Sequence, residues 1–214
     1  MKMKNKLNKS TLLALLSGVF AGSLVLSNIL AGRVFDLGFW GLTLTAGVFI
    51  FPVTFIVNDI LAEVYGFKKV SMIIWLGFAM NLIAVCLYWL ANALPAPDYM
   101  ISTAEAYQTI LGTSFRALVA SLAAYLVGGF VNAKVMDYMH KKHGETKFKH
   151  RAILSTIFGE SADSILFVTI MFLGVLPLGV MLSMIIIQAS AKTLFEIIFL
   201  PLTTRLVAKA KELK

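Results

Sequence analysis

Residues 11–32 read TLLALLSGVFAGSLVLSNILAG, 22 positions without a charged side chain. Wound as an α-helix, such a run is about 33 Å long, enough to cross the hydrocarbon core of a bilayer. Lysines at 2, 4, 6 and 9 precede it, as in a secretory signal, but the apolar run is too long for a signal's core. The stretch therefore reads as a membrane span, and the rest of the chain repeats the pattern. Further apolar runs cover 39–65 (interrupted by Pro52), 70–94, 115–133, 152–176 and 178–206. The whole composition agrees, with 59% hydrophobic and 14% charged residues among 214. A soluble domain carries about 25% charged residues. A globule of this size has too little interior to hide so much apolar surface. A soluble enzyme, a disulfide scaffold and a disordered chain are excluded. The expectation is an all-α, polytopic bundle of six transmembrane helices forming one domain over 1–214. A basic segment 1–10, a cytoplasmic loop 134–151 and a cytoplasmic tail 207–214 complete it. Cys86 stands alone and forms no internal disulfide.

The basic residues set the orientation. Sixteen of the 19 fall before the first span, after the second, between the fourth and fifth, or after the sixth. Only Arg33 lies in a loop on the other side. The positive-inside rule puts both ends in the cytoplasm, and the localisation expected is a bacterial cytoplasmic (inner) membrane. The net charge of +8 is thereby explained by topology, and no nucleic-acid partner is expected. His140, His143 and His150 lack thiolates and clear ligand spacing, so no metal is assigned. No cofactor is expected either. In the outer loop, Ser102-Thr-Ala-Glu105 has the spacing of a capping box for a short interfacial helix.

Seven charges remain at membrane depth: Asp59, Glu63, Arg116, Glu160, Asp163, Lys192 and Glu196. Each costs about 2.5–3.5 kcal/mol at a helix centre, so they must pair, face a wet cavity or sit near an interface. Asp59 and Glu63 are four apart, Glu160 and Asp163 three apart, and Gln188, Lys192 and Glu196 follow at four-residue steps. Each group lines one helix face. The bland alternatives are an interfacial Glu63 beside Lys68, and Lys192 and Glu196 satisfying each other within one helix. Asn28, Asn81 and Asn132 add amides, which more often join helices than bind ligands. Five acids against two bases give the interior a formal charge of −3. Such a cavity suits a cationic or hydrogen-bond-donating solute, or protons. Ala14, Gly18 and Gly22 form a small-residue stripe on which another helix, a second copy or a partner subunit could pack.

Residues 51–66, FPVTFIVNDILAEVYG, resemble the signature of the queuosine precursor transporters, a group within the vitamin-uptake-transporter family. Ser27-Asn28, the segment 116–129 (RALVASLAAYLVGG), the segment 151–164 (RAILSTIFGESADS) and the segment 191–201 (AKTLFEIIFLP) are similar to that family's first, fourth, fifth and sixth helices. The family carries amides as well as acids at the place of Glu160. The resemblance spans about residues 20–205. It implies import of a 7-deazaguanine base, preQ0 or preQ1, for queuosine in transfer RNA. The substrate-binding candidates are Asn28, Asp59, Arg116, Tyr125, Asn132, Glu160, Asp163, Gln188, Lys192 and Glu196, and the coupling candidates Asp59, Glu63, Glu160 and Asp163. A carboxylate at mid-depth, Asp163 or Glu160, can accept a ring N–H and the neighbouring exocyclic amine together. Tyr125, Phe167 or Trp75 could stack on the base. The leading expectation is a stand-alone secondary transporter or facilitator, with or without proton coupling. The alternative is a substrate-binding subunit of an energy-coupling-factor importer, docking through the Ala14–Gly22 stripe. An intramembrane enzyme using an acid pair such as Asp59 and Asp163 has no supporting motif, so no enzyme is expected. The partners expected are the small-molecule substrate, the lipid bilayer and a possible homodimer copy.

Overall fold

The computed structural model describes residues 8–38, 41–143 and 148–213. Seven α-helices dominate it, and six stretches are long and apolar enough to cross a membrane. Helix α1 (Lys9–Ala31) begins at Asn8, whose side chain accepts from the Thr11 N–H at 2.8 Å. This is an ordinary N-cap that satisfies one of the first free amides.

The second crossing departs from the expected helix over 39–65. Strands β1 (Val34–Asp36) and β2 (Thr43–Thr45) pair antiparallel, with Val34 opposite Thr45. A 3-10 turn, Ala46–Ile50, then leads into α2 (Phe51–Tyr65), whose first turn accommodates Pro52. Proline fits there because its missing N–H would have no helical partner. One residue, Gly66, separates α2 from α3 (Phe67–Ala93), and its φ of 78° is the left-handed conformation that glycine adopts without strain.

The outer connection carries α4 (Ile101–Leu111), a short helix with Tyr107 and Ile110 exposed. It starts one residue before Ser102 and has no side-chain cap bond, so the expected capping box does not form. Helices α5 (Ser114–His143), α6 (Phe148–Phe172) and α7 (Leu178–Lys211) complete the bundle. The segment 134–151 expected as a loop is helical up to His143 and again from Phe148. The side chains of His140, His143 and His150 lie outside the described residues.

Apolar cores sit at different heights. Phe20, Val57, Leu61, Val70 and Ile73 join α1, α2 and α3. Ala117, Val168, Met171, Met181 and Met184 join α5, α6 and α7. Leu15, Trp75, Leu87, Trp89 and Leu182 point outward and are more than half exposed, as lipid-facing side chains must be. At one face, the Tyr65 hydroxyl donates to the Lys9 carbonyl at 2.7 Å and Lys211 pairs with Glu63 at 2.7 Å. The start of α1 and the ends of α2 and α7 therefore lie together.

Candidate functional site

Helices α6 and α7 run antiparallel, which sets Asp163 against Lys192 and Thr156 against Glu196. Thr156, Glu160 and Asp163 follow at helical spacing on α6, and Lys192 and Glu196 on α7, so two stripes meet face to face. The Lys192 ammonium pairs with Asp163 and lies 3.4 Å from a Glu160 oxygen. Its side chain is 6% exposed, against 17% for Glu160 and 19% for Asp163. From α2, the Phe51 ring lies under the same ammonium, 4.2 Å from its centroid, a cation–π contact in a desolvated place. The Thr156 hydroxyl donates to Glu196 at 3.1 Å. Asp59 is half-buried on α2, the helix that also supplies Phe51.

Helix α5 fixes this arrangement from behind. A Cβ at Gly128 would lie 2.9 Å from the Asp163 Cβ, and one at Gly159 would lie 2.8 Å from the Asn132 Cβ. The two backbones approach as closely as glycine permits. That contact holds α6 by the residues that flank its carboxylates. Asp163 is the eleventh residue of the apolar stretch Ile153–Phe172, near its middle.

The expected residues divide into those brought together and those held elsewhere. Glu160, Asp163 and Lys192 form the cluster, with Glu196 joined to α6 through Thr156 and Asn132 at the α5 side, while Asp59 is half-buried on α2. Lys192 pairs across to α6 and not with Glu196, which corrects the intrahelical alternative. Gln188, one turn from Lys192, is fully buried, and neither amide atom has a hydrogen-bond partner among the described residues. The same holds for the Ser164 hydroxyl beside Asp163.

Glu63 stands apart, 61% exposed and paired with Lys211. Arg116 clamps the end of α6, donating from Nε to the Ile170 carbonyl at 2.5 Å and from Nη2 to the Leu173 carbonyl at 2.6 Å. A guanidinium there also meets the negative end of the helix dipole. Asn28 donates to the Ser121 hydroxyl at 3.2 Å and so ties α1 to α5. Tyr125 packs edge-on against Phe78, with ring centroids 5.9 Å apart, in the α3–α5 core. Phe167 packs in the core of α5, α6 and α7, and Trp75 faces outward, 55% exposed.

Phe51 and Thr156 are members of the cluster that sequence reasoning did not single out. Thr156 lies four residues before Glu160, so helical spacing could have found it. Phe51 sits in an apolar run and carries no such signal. With Glu63 and Arg116 set apart, two carboxylates, Asp163 and Glu160, meet the one ammonium and Glu196 lies one turn away, formally −2 together.

Residues 45–206 match the family described as "Putative vitamin uptake transporter". A relative from Bacillus subtilis (strain 168), described as "Probable queuosine precursor transporter", is 26% identical over 163 residues, 76% of this chain and 71% of the relative. No solved structure matches the chain. The family match takes in the whole charged cluster and five of the six apolar crossings. This chain is a multi-pass membrane protein that belongs to the vitamin uptake transporter family.

Proposed function

We propose that this chain imports queuosine precursors, 7-deazaguanine bases such as preQ0 and preQ1, across a bacterial cytoplasmic membrane. It does so as a stand-alone secondary transporter or facilitator, with both ends in the cytoplasm. The observation that carries the reading is the pairing of Asp163 and Glu160 with the buried Lys192 ammonium, with Glu196 one turn along the same helix. A deazaguanine presents a ring N–H beside an exocyclic amine, and a carboxylate accepts both in one directional contact. Asp163 or Glu160 fills that role. Buried Gln188 offers an amide to the ring carbonyl, and Phe51 an apolar face to the flat base. The name of the Bacillus relative supports the same substrate class.

Purified protein is expected to bind preQ0 or preQ1 in preference to guanine, and to take the base up when it is the sole protein in liposomes. Asp163→Asn is expected to weaken binding by roughly tenfold to a hundredfold, the worth of one charge-assisted contact. Unchanged affinity in a folded Asp163→Asn protein removes Asp163 from the site. Coupling to protons through Asp59, Glu160 or Asp163 predicts that an uncoupler abolishes accumulation.

A second reading, a substrate-binding subunit of an energy-coupling-factor importer, is favoured by one observation. Gly18 and Gly22 have open space beyond them, in an outward groove lined by Ala14, Val25, Leu76 and Met80. The same groove would serve a homodimer. Uptake by the protein alone in liposomes rules the subunit reading out.

A further inference from the structure

Lys192 makes the contacts that a cationic or donor-rich flat ligand would make. Its ammonium takes up Asp163 and Glu160 and covers the Phe51 ring. Two such groups cannot share one carboxylate pair and one ring face. A second acidic place lies one turn along the same helix, where Glu196 accepts from Thr156. Residues four apart on a helix are within side-chain reach.

We propose that Lys192 is a tethered stand-in for the substrate. It holds Asp163, Glu160 and the Phe51 face while the site is empty, and it yields them to the incoming base by swinging to Glu196. The inference rests on the reading that this cluster is the substrate site. The charged groups that Lys192 meets are Glu160 and Asp163 from α6, and Glu196 lies one turn away on its own helix. The swing keeps the Lys192 ammonium beside a carboxylate at both ends, and the vacated acids are met by the N–H donors of the incoming base. It also makes the empty protein self-inhibited, since the binding-competent fraction is only that with Lys192 withdrawn.

The first test needs no knowledge of the substrate. Truncation in Lys192→Ala opens room for a small free ammonium. Ethylammonium chloride is expected to raise the unfolding temperature of purified Lys192→Ala by several degrees, and sodium chloride at equal ionic strength is not. Adding Asp163→Asn and Glu160→Gln is expected to abolish the effect. Equal responses to both salts, or an ethylammonium effect that survives loss of both acids, overturn the proposal.

The second variant is Lys192→Met, which keeps the volume and removes the competitor. It is expected to bind preQ1 about tenfold more tightly than the unaltered protein, while Asp163→Asn weakens it. Weakening in both overturns the proposal and makes Lys192 a direct contact. If neither lysine variant can be purified folded, Lys192 is a structural strut and the proposal falls. If the unaltered protein binds no deazaguanine, the proposed function fails, and the ethylammonium result alone decides the stand-in.

Discussion

Glu196 has Lys192 one turn away on its own helix, yet its oxygen accepts from Thr156 on the next. The spacing of charges along each helix was legible in the sequence, because a period of 3.6 residues fixes which side chains share a face. The choice of partner was not. It depends on the register between α6 and α7, and no helical period encodes the offset between two helices. The same blindness hid Phe51, whose ring was indistinguishable from its apolar neighbours until α2 was set beside Lys192. The Thr156 bond has a measurable consequence. Thr156→Val leaves a half-buried carboxylate oxygen short of a donor, and is expected to lower stability by about 1–3 kcal/mol. Thermal unfolding in detergent reads the change, and an unaltered profile would show that Glu196 finds its donor elsewhere.

Between elements, the α5–α6 contact governs where the carboxylates stand. Gly128 and Gly129 are neighbours, but only Gly128 faces α6, and nothing lies within 4 Å of a Cβ at Gly129. Gly128→Ala is therefore expected to force the helices apart, at about 1–3 kcal/mol of overpacking. It should also reduce transport by moving Asp163. Gly129→Ala serves as the paired control and is expected to leave both unchanged. Equal behaviour of the two, in uptake and unfolding temperature, would contradict the contact. The sequence offered the glycine pair but not which member packs, since both lie in one apolar run. It also concealed the β1–β2 hairpin. Residues 39–45 read as the start of the second span, while the antiparallel pairing of 34–36 with 43–45 is a tertiary choice. Helical continuation past Lys134 escaped for the opposite reason, because charge marks where a helix leaves the lipid and not where it ends.

For the molecule as a whole, hydropathy was sufficient to count the crossings. It depends only on the bilayer as solvent, so it survives errors of boundary. Orientation is open to a direct check in a Cys86→Ser background. Asp98→Cys is expected to react with a membrane-impermeant maleimide on intact cells, and Lys209→Cys only after permeabilisation. The reverse pattern would invert the proposed topology. The central position of Asp163 has an electrical consequence as well. A site halfway through the insulating layer senses about half of the transmembrane voltage, roughly 1 kcal/mol per elementary charge at 100 mV. With the cell interior negative, a cationic aminomethyl base is drawn towards Asp163 by the field, whereas a neutral nitrile base feels no such pull. Liposomes clamped at different potassium gradients are expected to take up the first faster as the interior becomes more negative. The response to the second is set by the charges the protein itself moves, so comparing the two bases weighs cargo against carrier.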